Sequence, residues 1–201
     1  MGRPRTKPDA AVLEAAGRVF GNIGPNFTLA DVAKEAGLAP ATLMQRFGSK
    51  RGLLLALSKV AAEGADTCFA QIRAQHRSPL RTLFACFEFT AGMAATPEML
   101  ANNLAFLQLD LTDPEFRQWS LLNARSTAAG YQALIEDAIR AKELKRCNTA
   151  ALARLINATL HGSMVSWAFF QEGSAADWVR RDMEALLKPY RLARAASYPN
   201  K

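Results

Sequence analysis

The stretch Phe27–Leu57, FTLADVAKEAGLAPATLMQRFGSKRGLLLAL, limits what this chain can fold into more than any other. It reads as two short helices joined by a tight turn, with a third starting at once. Thr28 can accept from the backbone N–H three residues on, and Asp31, standing there, can reach back: a capping box. Val32, Ala33 and Ala36 form the buried stripe of the first helix, and Asp31, Lys34 and Glu35 keep its other face in water. Gly37 stands where a helix end needs positive φ. Leu38 is placed to plug the corner, and Pro40 occupies the first turn of the second helix, where a missing N–H costs nothing. Leu43 and Phe47, four apart, are that helix's buried pair. Pro40, Ala41, Thr42, Met44, Gln45 and Arg46 then point outward.

Two helices crossing at a glycine turn describe a helix-turn-helix. The outward face carries a hydroxyl, an amide and a guanidinium beside small apolar groups. These can bond base edges and touch thymine methyls in a major groove, which makes Pro40, Ala41, Thr42, Gln45 and Arg46 the candidate base readers. Thr28 and Lys50, each at a helix start, set a hydroxyl and a charge where a phosphate can sit. The same periodicity also suits an ordinary αα-hairpin in a bundle, and spacing alone leaves both readings open.

Ala36–Lys50, AGLAPATLMQRFGSK, resembles the signature of the TetR/AcrR family of transcriptional regulators, G-[VL]-S-x-x-T-[LV]-Y-x-[HY]-F-x-[SN]-K. Gly37, Leu38, Thr42, Leu43, Phe47, Ser49 and Lys50 match; Ala39, Met44 and Arg46 depart from it. Met44 stands at the Tyr position that the resemblance assigns to phosphate, and a thioether cannot donate a hydrogen bond. The resemblance implies a repressor that leaves its double-stranded, palindromic operator when a small molecule binds. It further implies that the middle helices enclose that effector and the last two helices pair with their copies as a homodimer.

Charge agrees with a nucleic-acid partner. The chain carries +7, and residues 1–52 hold 8 Lys/Arg against 4 Asp/Glu. A basic end on a nearly neutral body suits contact with a polyanion. Residues 1–8, MGRPRTKP, hold Arg3, Arg5 and Lys7 without an acid and read as a flexible arm for phosphates or the minor groove. Three widely spaced cysteines, with no ligand spacing, suggest reduced thiols in the cytoplasm. No apolar leader segment and no apolar run of ~18 residues appear, so neither export nor a membrane is expected. His76 and His161 lack partners at catalytic or metal spacing, and no glycine-rich phosphate loop is present. The expectation is therefore no enzyme, no metal and no cofactor, with a helical adaptor or an enzyme not acting on DNA as the alternative.

The rest of the chain reads as all-α. Asp9 is placed to cap a helix to about residue 22. Ser49 starts a helix over 50–75, and Ser78-Pro79, Thr96-Pro97 and Asp113-Pro114 open helices at 79–94, 97–109 and 113–142. Two more follow at 149–171 and 175–188, the last with Ser174 and Asp177 as a capping box. This gives a helix-turn-helix domain over 9–52, three helices packed around Phe20, Phe27, Leu38 and Phe47. A six-helix effector-binding and dimerisation domain follows over 53–201. Phe84, Phe87, Met93, Asn103, Phe106, Leu107, Trp119 and Tyr131 are the candidate lining for an apolar effector, though aromatics at helical spacing are also plain core. Leu152, Ile156, Leu160, Met164 and Trp167 stripe one C-terminal helix, and Val179, Met183, Leu186 and Leu187 the other. They are the candidate dimer interface, unless the internal core uses them.

Overall fold

The structure, a computed structural model, describes residues 7–192. Arg3 and Arg5 lie outside those residues. Among the described residues the chain forms nine α-helices and no strand: α1 (Asp9–Ile23), α2 (Leu29–Ala36), α3 (Pro40–Phe47), α4 (Lys50–Ala74), α5 (Pro79–Gly92), α6 (Pro97–Thr112), α7 (Pro114–Arg140), α8 (Thr149–Phe170) and α9 (Ala175–Leu187). The helix starts follow the capping chemistry. Thr28–Asp31 and Ser174–Asp177 each close a full capping box, and Ser78 and Asn148 accept from the N–H three residues on, at 3.1 and 3.0 Å.

Several boundaries differ from the sequence expectation; α5, expected to reach 94, ends at Gly92. Asp9 does not cap α1; Pro8 takes that position without a side-chain bond, and Asp9 is the first helical residue, where its charge still suits the helix dipole. Helix α6 continues to Thr112, and the next N–H, that of Asp113, still bonds the Leu109 carbonyl at 2.9 Å before Pro114 starts α7. Helix α7 ends at Arg140 because Lys142 turns left-handed at φ 57° and the Glu143 N–H folds back to the Ala138 carbonyl at 2.8 Å.

The chain divides into two units. The first comprises residues up to Glu63 together with Ala101–Leu121; the second comprises Gly64–Leu100 and the chain from Leu122 onward. Helices α4, α6 and α7 contribute residues to both. By contacts, then, the headpiece is not the linear 9–52 segment alone, because it takes in a piece of chain from the middle of the sequence.

The core of the first unit holds Val12, Phe20, Phe27, Val32, Leu43, Leu53 and Phe116. Leu38 and Phe47, expected at its centre, are only partly buried against it. Phe20 stands edge-on to Phe27 and to Phe106, with centroids at 6.1 and 5.1 Å, and Phe106 stands edge-on to Phe116 at 5.9 Å. Such pairs add ~0.5–1.5 kcal/mol beyond area burial. The Asn102 amide donates to the Gly21 carbonyl at 2.8 Å. Its oxygen lies 2.1 Å from where a Cβ on Gly24 would stand, and Gly24 has φ 74°.

The second unit is built on α5, α7, α8 and α9, with α8 and α5 both packed on α9. Its core absorbs the expected dimer stripes. Leu152, Ile156, Leu160, Met164, Trp167, Val179, Met183 and Leu187 are each 5% exposed or less within a single chain, and Leu186 is half-buried. The indole N–H of Trp167 donates to the Gly173 carbonyl at 3.1 Å. These residues are therefore internal core, and the expectation that they face a partner is corrected. Periodicity marks a stripe as buried without saying against what. The face that α8 leaves outward carries Leu155, Ala158, Gly162 and Phe169, with Leu155 46% and Phe169 82% exposed. Beside it Phe170 stacks on Trp178 at 5.4 Å.

Candidate nucleic-acid interface

The first unit presents α3 on a scaffold fixed from below. Gly37 holds φ 63°, and its N–H reaches the Ala33 and Lys34 carbonyls, which ends α2 and turns the chain. Ala39 then enters α3 in extended conformation and Pro40 opens it. Leu43 is fully buried and anchors the helix. Pro40, Ala41, Met44 and Gln45 are exposed, and Thr42 is half-buried. This is a mixed face: one amide with two donors and an acceptor, one hydroxyl, and small apolar contacts around them.

Arg46 does not belong to that face. Its Nη1 donates to the Lys7 carbonyl at 2.6 Å and to the Asp9 carboxylate at 3.1 Å, and its side chain is only 18% exposed. It ties the entry of α1 to the end of α3. In this structure the guanidinium is engaged within the chain and does not stand beside Gln45 on the exposed face. The partners lie 37 and 39 positions away, so no local pattern reveals the pairing.

Lys50 is likewise engaged within the chain. Its ammonium donates to the Pro25 carbonyl at 2.5 Å and sits 4.5 Å from the centroid of the Phe27 ring. It closes the first turn of α4 onto the segment before α2 instead of standing open for a phosphate. The Thr28 hydroxyl is likewise engaged, donating to Asp31 at 2.7 Å while accepting from its N–H. Those hydrogen bonds hold the Asp31 carboxyl below its ordinary range. The box takes up the N–H groups of Thr28 and Asp31, leaving those of Leu29 and Ala30 as the unpartnered donors of this helix start.

The remaining charges sort by partner. Arg18 pairs with Glu35 at 2.9 Å. Arg51, which the sequence did not single out, is held by Asp113 at 2.7 Å and Glu115 at 2.5 Å and lies over the Phe116 ring. The guanidinium in turn keeps Asp113 below the usual carboxylate range. Lys7 and Lys34 are exposed and form no ion pair among the described residues. The Lys7 ammonium lies 3.6 Å from the Cβ position of Gly37, directly at the turn between α2 and α3. Among the described residues, Lys7 thus places a cation at the turn beside the α3 face.

The eight residues expected to line an effector cavity are divided between the two units. Phe84, Phe87 and Tyr131 are buried in the second unit's core, Phe87 and Tyr131 with centroids 5.7 Å apart. Met93 is 59% exposed at the end of α5. Asn103, Phe106, Leu107 and Trp119 belong to the first unit: Phe106 packs between Phe20 and Phe116, Leu107 is 43% exposed, and Trp119 lies under the Lys59 ammonium. A groove in the second unit, about 540 Å³, is lined by α4 and α5, among them Gly64, Cys68, Gln71, Gln75, Ala85 and Phe89. No helix among the described residues is long and apolar enough to cross a membrane.

Residues 12–57 match the family described as bacterial regulatory proteins, tetR family. Solved structures share the fold over most of the chain. A TetR-family transcriptional regulator from Agrobacterium tumefaciens is 22% identical with a TM-score of 0.66, covering 90% of this chain and 94% of its own. FadR from Bacillus subtilis, solved in complex with stearoyl-CoA, is 15% identical with a TM-score of 0.64, covering 90% and 98%. Reduced NemR from E. coli is 12% identical with a TM-score of 0.70, covering 90% and 96%. No curated protein matches the chain in sequence.

Proposed function

From the match of residues 12–57 to the tetR-family model, we propose that this chain is a TetR-family transcriptional regulator, a repressor released from a palindromic operator by a small-molecule effector. The observation that carries the reading is the α3 face. Pro40, Ala41, Met44 and Gln45 stand exposed on a helix whose other side is anchored by fully buried Leu43. An exposed amide flanked by small apolar groups supports the reading because a major groove can meet it with hydrogen bonds and methyl contacts.

In this mechanism Gln45 and Thr42 read base edges, Ala41 and Met44 make apolar contacts, and Lys7 with the Leu29 and Ala30 N–H groups meets phosphate. Two copies are needed to span a palindrome. The outward stripe of α8 supports a homodimer, because Leu155 and Phe169 flank Ala158 and Gly162, and a Cβ at Gly162 would meet nothing within 4 Å. Among the described residues nothing requires a glycine there, and the missing side chain lets a neighbouring helix approach closely. Effector binding then shifts the population between operator-competent and incompetent states.

The test is titration of the full chain with a palindromic fragment from upstream of its own gene and with a scrambled fragment, at several salt concentrations. Tighter binding to the palindrome, with affinity falling linearly in log salt, is the expected result. Equal affinity for both fragments would defeat the operator reading, and no salt-dependent binding at all would defeat DNA binding itself.

A further inference from the structure

The groove between α4 and α5 has no part in the DNA reading, and its chemistry changes from one end to the other. On α4, Gly64, Cys68, Gln71 and Gln75 line it; on α5, Ala85 and Phe89. From Gly64 to Gln75 is ~17 Å along the helix at ~1.5 Å per residue. Phe89 is 52% exposed on the wall, an aromatic that the core does not cover. The Gly64 end is open: a Cβ there would meet nothing within 4 Å. Asp66 stands exposed close to that end.

The other end runs into the turn between the helices, which is cationic. Gln75 is followed by His76 and Arg77, and Arg81 lies one turn before Ala85 on the same face of α5. The acids that face this end from neighbouring elements are engaged. Glu143 accepts from the Leu80 N–H at 2.7 Å, and Asp137 is paired with Arg73 and Arg140. Arg77 is exposed and forms no ion pair among the described residues. Burial pushes the Cys68 thiol up, so it stays neutral and adds no negative charge to the wall.

We propose that this groove is the effector site and that its ligand is an amphipathic organic anion of fatty-acid size, the chain lying along α4 toward Gly64 and Phe89 and the head group at the Arg77 turn. The word effector rests on the regulatory reading above; the ligand class rests on the groove alone. A linear chain fits a trough that is long, open at one end and bordered by Ile72, Ala85 and Phe89. The side-chain amides of Gln71 and Gln75 supply donors between the apolar stretch and the cationic turn. The same helix that lines the groove begins at Lys50, whose ammonium holds the segment before α2.

The experiment titrates the full chain with dodecanoate, dodecyl phosphate and dodecan-1-ol, each below its micelle concentration, following tryptophan fluorescence and melting temperature. Operator affinity is measured in parallel. One or both anions should bind at least ~tenfold more tightly than the alcohol, a 1.4 kcal/mol preference, and the tighter anion identifies the head group. Gly64→Phe puts a ring at the open end, where the added Cβ itself meets nothing within 4 Å. It should weaken anion binding at least ~tenfold while leaving ligand-free DNA affinity unchanged. Arg77→Glu should abolish the preference for anion over alcohol. Equal binding of alcohol and anions, no binding of any of the three, or wild-type binding by Gly64→Phe each overturns the site. Anion binding that leaves operator affinity unchanged overturns its role as effector. Loss of the DNA reading shows separately, as absence of salt-dependent binding before any ligand is added.

Discussion

Helices α3 and α8 make opposite use of an outward face. Helix α3 buries one residue fully, Leu43, and shows solvent an amide among small groups. Helix α8 buries seven and still shows solvent a leucine, a small-residue strip and two phenylalanines. An exposed polar face on a short, firmly anchored helix suits a partner that is read through hydrogen bonds. An exposed apolar face on a long helix suits a partner that removes it from water. In both helices the buried stripe serves folding, and the face left over is the one the proposed partners would use.

The sharpest way to break this comparison is a charge on either side of α8. Trp167→Glu places a carboxylate in a closed core and removes the indole bond to Gly173, so it should destabilise the chain by more than ~4 kcal/mol and abolish cooperative melting. Phe169→Glu, two residues on, should leave chemical stability within ~0.5 kcal/mol at concentrations where the chain is monomeric. It should nonetheless abolish the dimer in sedimentation. If Trp167→Glu melts like the wild type while Phe169→Glu unfolds, the two faces of α8 have been exchanged.

On α3 the expected effects are smaller. Gln45→Ala should cost ~1–3 kcal/mol on the cognate operator and relax preference at one base pair per half-site. Arg46→Ala should instead weaken all operator variants alike and by less, ~0.5–1 kcal/mol, because a tether between α1 and α3 is lost and no base contact is. Single-base operator panels separate the two, and a base-specific loss in Arg46→Ala would return that residue to the reading face.

The smallest effects come from titration. Asp31 and Asp177 are held below the ordinary aspartate value of 3.8 by their capping boxes. A depressed carboxylate stabilises the fold above its unfolded value, so this contribution fades as pH falls below 3.8 through the lowered native values. Asp110 runs the other way. Burial raises it, one carboxylate oxygen has no partner, and Ser120 bonds it. Its charge costs stability at neutral pH, and the cost disappears as pH falls through the raised native value. Asp110→Asn should therefore raise the melting temperature by ~2 °C at pH 7 and lose that advantage in acid.

Helix starts were legible in the sequence because each is a local event: a hydroxyl, a carboxylate three residues on, a proline at the first turn. Thr28–Asp31 and Ser174–Asp177 close as their spacing requires. The Leu43 anchor and the exposure of Pro40, Ala41, Met44 and Gln45 follow from helical period alone. What the sequence hid was long-range pairing. Arg46 and Lys50 look like free cations until Lys7, Asp9 and Pro25 are brought to them. Phe106 and Phe116 look like pocket or body residues until they pack on Phe20. The apolar stripes of α8 and α9 were visible, but two helices that each offer one stripe satisfy each other first, and only burial reveals that.

The contact at Gly24 joins two positions that are far apart in sequence. A side chain at 24 would collide with the Asn102 amide and would also have to adopt φ 74°, while displacing that amide would break its bond to Gly21. Neither residue can drift alone. Across descendants of this chain, a substitution at 24 survives only where 102 has already shrunk, whereas position 102 can shrink first at the loss of one hydrogen bond. The permitted order of change is therefore one-way. An alignment of close relatives should show glycine at 24 with varied residues at 102, and no lineage with a bulky residue at 24 facing an asparagine.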